Sequence, residues 1–416
     1  MPSYVTRPCF LFAVLMASVA PLGAMAHAED VTLEGMSVTD HGTTVLYKKI
    51  DVTGTNLTKD EVAKLFSAAT PPADQAAIIA KMKAAKVSIP DIQISGKGSQ
   101  VTMAGFQITD IDAGRTGKIM WTSVDGTLTS EDGLPGTIHS NAMLMEGADF
   151  GGTLAAVKSR DIADMKMKIT HVKWDGFDLT FADKDTPKTA IGGNIWHVKL
   201  ASLEGAGTYD GEVPLKGDVT VSGVSVEAPK ASPQGKSLAL FGYDRLDFGI
   251  KLSGVYNPAA KTYVLDNYSI TEAKSGTLAV KAKIGSLDKS AFTGTKETRP
   301  SVFMNADFSL LSLKFDNTGL FEKALAYFAN EQKKPVDAVR KQWAMSATQF
   351  APMLLGGDPS GLKIAEALAA FINNPKSLTL TATAKGDPVR FSELQGFQSA
   401  PMQILERVQF GAVNAP

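Results

Sequence analysis

The chain has 416 residues and a formal charge of −1. Such a balance gives no whole-protein electrostatic pull toward nucleic acid or anionic lipid. The length suffices for an ordinary buried core, most naturally in two domains, and there is no low-complexity tract or long charge run.

The first 28 residues read as a signal peptide. Arg7 supplies a positive charge, an apolar run follows from Cys9 to about Ala20, and small residues close it at Ala24-Met25-Ala26 or Ala26-His27-Ala28. That is the pattern of a cleavable export signal. The run is too short to favour a membrane-spanning helix, and nothing later in the chain is a continuous apolar stretch of spanning length. The expected location is therefore the periplasm. Cys9 is the one cysteine, so cleavage leaves a chain without disulfides, thiolate nucleophile or cysteine-based metal site.

Residues 29–135 read as a mixed region. "TTVLYKKIDVTG" alternates as a strand. A helix follows, and Thr58 with Glu61 has the spacing of a capping box at its start. "ADQAAIIAKMKAAK" reads as a second helix, and strands resume at "VSIPDIQIS", "QVTMAGFQITDI" and "GKIMWTSVDGTLTS". Residues 136–300 read as antiparallel β. In "MKMKITHVKWDGFDLTF", Met165, Met167 and Ile169 alternate, then Phe177, Leu179 and Phe181, with a turn expected at Asp175-Gly176. Gly223 suggests a bulge. The clearest signal is Leu246, Phe248, Ile250 and Leu252 alternating with Asp247, Gly249, Lys251 and Ser253, then a turn at Asn257-Pro258. The next runs bring Leu278, Val280, Ala282 and Ile284 into alternation, giving a meander with one apolar and one wet face. Residues 301–416 return to mixed structure. "VFMNADFSLLSLKF" reads as a strand, three amphipathic helices follow, and "KSLTLTATAK" alternates again. Those helices, with a chain end of "GAVNAP" instead of a strand, argue against an outer-membrane barrel. The expected fold class is α+β, predominantly antiparallel β, with extended or curved meander sheets and helices near the N-terminal and C-terminal parts.

Motifs for chemistry are absent. His41, His139, His171 and His197 form no H-x-x-H pair, so no metal site is expected. "DAGRTGKI" fails as a phosphate loop at Asp112 and at Ile119. Ser360 with Lys363 and Ser286 with Lys289 fit S-x-x-K, but the partner motifs of that enzyme class are missing. Asp110, Asp112, Asp125, Glu131 and Asp132 lie in loop-like sequence without the EF-hand spacing. No catalytic residue and no cofactor is legible.

The long run of alternating strands, with "GYDRLDFGIKLSGVYNPAAKTYVLDNYSITEAKSGTLAV" and "DNTGLFEKALAYFANEQ…FINNPKSLTLTATAKGDPVRF", resembles uncharacterised secreted β-rich proteins of Gram-negative bacteria. In layout it is more distantly similar to the AsmA-like and YdgA-like envelope proteins, although its N-terminal segment reads as cleavable where theirs anchors. The resemblance implies long curved sheets and, for some members, lipid handling. The expectation is a non-enzymatic envelope protein sheltering a lipid or other apolar ligand on a sheet face, with Phe248, Ile250, Leu278 and Val280 as candidate binding residues. A structural or partner-binding envelope protein is the alternative, and a hydrolase without a recognisable motif is a third class.

Overall fold

The computed structural model describes residues 28–40, 42–130, 132–149, 168–189, 193–295, 297–354, 358–394 and 403–415. The segment read as a signal peptide lies outside them save for Ala28, as do His41, Glu131, Met165 and Met167. The fold is α+β, with twenty strands and nine helices among the described residues and antiparallel pairing throughout the ladders named below. The chain divides into two compact units, Met1–Gly207 and Thr208–Pro416. That boundary falls inside the stretch 136–300 read as one β region.

In the first unit, β1 (Glu29–Asp40) and β2 (Thr43–Thr55) form a hairpin. Two helices follow, α1 (Lys59–Leu65) and α2 (Pro72–Lys81), then β3 (Lys83–Gly96) and β4 (Ser99–Asp112). The Thr58–Glu61 capping box is present, each side chain bonding to the other's backbone N–H. Ile78, Ile79, Val62, Leu65 and Phe66 lie over Ile50, Val52, Val87, Ile89 and Ile108 in one buried cluster. The alanine-rich helix is shorter than its composition suggests. Met82 ends it, and Ala84 and Lys86 pair with β4, because Val87 and Ile89 are buried there in strand alternation with Ala84 buried ahead of them. Here burial overrides helix propensity.

The remaining strands of this unit come in end-to-end pairs. These are β5 (Arg115–Trp121) with β6 (Ser123–Thr129), β7 (Pro135–Ser140) with β8 (Met143–Asp149), β9 (His171–Trp174) with β10 (Phe177–Ala182), and β11 (Ile195–Leu200) with β12 (Ser202–Asp210). Asp175-Gly176 is therefore not a hairpin turn. β9 pairs with β8 and β12 while β10 pairs with β7 and β11, so the two are halves of one interrupted strand. The interruptions align into a crease across the sheet. Gly35, Pro90, Gly105, Thr122 and Ala201 stand on it, and buried alternation shifts by one residue as each of β1 to β4 crosses it: Val45 and Tyr47, then Ile50 and Val52. Pro90 is tolerated inside β3 because no ladder bond is needed from it there.

The second unit is built on β13 (Val213–Glu227), β14 (Leu246–Asn257), β15 (Thr262–Glu272), β16 (Gly276–Gly285), β17 (Asp307–Asn317), β18 (Ser377–Ala384) and β20 (Val408–Ala415), adjacent in that order, with the short β19 (Val389–Arg390) against one end of β17. The chain end expected to lie outside any strand thus pairs along the whole of β18. The predicted bulge is present, with the β13 register shifting between Val221 and Val224 and Gly223 at φ 60°. Asn257 Oδ1 accepts from Ala259 N and Ala260 N at 3.1 and 3.0 Å and closes the predicted turn. Helices α3 (Pro233–Leu240), α4 (Ser290–Thr293), α5 (Arg299–Asn305), α6 (Leu320–Glu331), α7 (Val336–Leu354), α8 (Pro359–Asn373) and α9 (Gln403–Arg407) complete the unit. The strand expected from Val302 begins only at Asp307, because Val302 to Asn305 close α5.

Candidate functional site

Antiparallel register places the apolar side chains of the second unit in rows. One row runs Val221, Ile250, Ile270, Leu278, Phe315, Leu378 from β13 to β18. The next runs Val219, Leu252, Tyr268, Val280, Leu313, Leu380. Phe248 begins a third row with Glu272. Directly opposed residues share a face, so Phe248, Ile250, Leu278 and Val280 stand together on one side. The other side carries Asp247, Lys251, Lys281 and Lys314, in keeping with alternation. The bulges at Asp266 in β15 and Ser309 in β17 keep the rows aligned to the end of the sheet.

Part of this face is covered. At one end, Tyr256, Tyr263 and Ile284 pack beneath Leu287, Phe292, Val302 and Ala306. Tyr256 donates to the Leu287 carbonyl at 2.8 Å, and burial raises the phenol pKa of both tyrosines. Over β17, Phe371 of α8 meets the ring of Phe315 at 6.0 Å and that of Phe321 at 5.3 Å. Phe321 in turn packs with Leu325, Val339 and Trp343 between α6 and α7.

Among the described residues nothing covers the middle. Leu252, Tyr268, Ile270, Leu278 and Leu313 are 36–43% exposed, although they are contiguous across four paired strands. Phe248, Ile250 and Val280 beside them are half-buried. At strand spacing this bare band is about 14 Å across, from β14 to β17. It leaves roughly 350 Å2 of contiguous apolar surface in water, the size of the largest patch on a typical monomer, which is often functional. A shallow depression of about 440 Å3 lies at the same strands, lined by Asp247, Gly249, Lys251, Ser269, Thr271 and Ala273 together with Phe248 and Ile250. All of these but Phe248 and Ile250 belong by alternation to the wet face, so the depression opens mainly on the side opposite the band.

One carboxylate lies in the rows. Glu272 takes the Lys274 N–H on Oε2 at 3.0 Å, while its Oε1 is shielded from solvent and has no hydrogen-bond partner. On the wet face Arg245 donates to Asp247 at 2.8 Å and holds that carboxyl below the usual carboxylate range.

The motifs weighed for chemistry are engaged in local structure. Ser360 donates from its N–H and its hydroxyl to Asp358, the N-cap of α8. Ser286 donates to Asp307. Gly114 lies in the turn between β4 and β5 at φ 86°. Gly117 lies within β5, where a Cβ would strike Asp110. His139 pairs with Asp125, whose carboxyl is held low by that bond. His171 bonds Glu146 at 3.1 Å. Among the described residues no three His, Cys, Asp or Glu side chains group so as to hold a metal ion, and no helix is long and apolar enough to cross a membrane.

Leu252, Tyr268, Ile270, Leu313 and Glu272 were not among the sequence-read candidates. The alternation that singled out Phe248 and Leu278 marks Leu252 too, but which residues of β15 and β17 face them depends on a register set by two bulges. A family model described as "Uncharacterized protein" matches residues 269–414, which hold Leu278 and Val280 but not Phe248 or Ile250. A search of the curated proteins found no match to the chain.

Proposed function

We propose that this chain is a non-enzymatic, exported envelope protein of the periplasm, and that the open band over β14 to β17 shelters a lipid or other apolar ligand. The observation that carries the proposal is the exposure of five large apolar side chains in register on a face whose two flanks are covered. Closing the band would recover about 9 kcal/mol at 25 cal/mol per Å2, before the costs of association. Export is supported by the N-terminal pattern, and the resemblance to secreted β-rich and AsmA-like envelope proteins points the same way. The test is native mass spectrometry of the gently purified mature protein, followed by organic extraction. A lipid held at fixed stoichiometry is the expected result. An apo mass together with a protein crosslinked through positions 270 or 278 in the intact envelope overturns it in favour of a partner-binding surface.

A further inference from the structure

The rows that form the band hold one charged side chain, and it is acidic. Glu272 sits in the row of Phe248 next to Ile270, and its Oε1 is an acceptor without a donor. Such an oxygen is costly to keep shut off from water and unbonded. No lysine or arginine stands in the rows of Phe248, Ile250 or Leu252. The nearby cations are directed elsewhere. Lys323 Nζ lies 3.3 Å from the centre of the Tyr243 ring. Lys274 lies in the turn after β15 and acts on Asp247, which belongs to the wet face. Residue Glu272 as a whole is half-buried and stands two positions from Ile270 on the same face, at the edge of the band.

We propose that the occupant is a single-chain amphiphile whose head donates a hydrogen bond and carries no net negative charge, with Glu272 receiving the head and Ile270, Leu278 and Leu313 receiving the chain. This rests on the apolar-ligand reading above. The band accepts one chain because its bare part is only two rows deep. An anionic head is disfavoured because it would bring like charge against a carboxylate in a poorly solvated place.

The experiment displaces a neutral fluorescent probe, N-phenyl-1-naphthylamine, from the full mature protein near neutral pH, below micellar concentrations. The competitors are dodecylamine, monolauroylglycerol and laurate, which share a chain length and differ in the head. The amine and the glyceride should displace the probe at least tenfold more tightly than laurate, a difference of about 1.4 kcal/mol. Glu272→Leu should bring the three within threefold of one another, and Glu272→Gln should raise laurate toward the glyceride. Thermal unfolding of both variants checks that the fold is retained, and the Gln variant stands in if the Leu variant does not fold. Laurate binding as tightly as the amine, or a preference that survives Glu272→Leu, overturns the head-group assignment and leaves the apolar site standing. If the wild-type protein takes up neither the probe nor any of the three chains, the apolar-ligand reading falls, and this inference with it.

Discussion

Truncating Leu278 and Ile270 together to alanine separates folding from binding at the bare band. Full burial of such a side chain is worth about 1.5–3 kcal/mol. Leu278 is 43% exposed and Ile270 36% exposed, so each has already contributed rather more than half of that to folding. The remainder is released only when something covers it, about 1 kcal/mol per residue. The double variant should therefore bind an apolar probe about 2 kcal/mol more weakly, close to thirtyfold in Kd. Its folding free energy should fall by about 2–3 kcal/mol, below the range for fully buried sites, since a half-open position leaves little cavity. Val413→Ala is the control, because Val413 is 64% exposed on the wet face opposite Thr379. Probe titration by fluorescence and urea unfolding give the two numbers. A double variant that binds within threefold of wild type, or a control that weakens binding equally, would refute the assignment of the band as a ligand surface.

The other predictions concern stability. The backbone N–H and hydroxyl of Ser290, with Lys261, hold the Asp288 carboxyl down from 3.8 to about 2. A lowered carboxylate stabilises the fold above its ordinary pKa, and that contribution is lost as pH falls from 3.8 toward about 2. The stability gap between wild type and Asp288→Asn should therefore shrink across that window in urea titrations; a constant gap would count against the pairing. Ser232 is fully buried, donates to the Pro229 carbonyl at 2.7 Å and caps α3 by accepting from Gly235 N at 3.0 Å. Ser232→Ala should lower the folding free energy by about 1–2 kcal/mol in chemical denaturation. Gly176 is at φ 97°, and a Cβ there would strike the carbonyl oxygens of Leu200 and Ala201. Gly176→Ala should cost more than about 1 kcal/mol and lower the melting temperature, whereas Gly211→Ala, in open space at positive φ, should cost less.

Local rules were readable where one short stretch contains all their parts. The capping box at Thr58 and Glu61, the bulge at Gly223 and the alternation from Leu246 to Ile284 each depend on residues a few positions apart. The helix α3 carried a signal as well, with Ser232 before Pro233 at its start, but eight residues with little periodicity did not stand out. Val302 to Asn305 suit a strand by composition and are helical, with Val302 packed on the cluster that holds Tyr256 and Ile284. The candidate site was half legible for a related reason. Period two says which side chains share a face within a strand. Whether a helix covers that face depends on where α6, α7 and α8 come to rest, which no stretch of β14 or β16 encodes. The partners Tyr268, Ile270 and Leu313 depend on bulges that only long-range pairing reveals.

The crease of the first unit constrains how this chain can change. Each strand from β1 to β4 slips its inside-outside rhythm at the same level, so neighbours remain in step with one another although none keeps a single rhythm from end to end. Deleting Lys48 alone would give β2 one rhythm from Val45 to Val52 and put half of it out of phase with both β1 and β3. The irregularity behaves like a fold line in pleated paper, which cannot be smoothed from one pleat without tearing its neighbours. Substitutions along that line are tolerated one strand at a time only if they preserve the slip, whereas insertions or deletions there have to spread through the whole set of strands together.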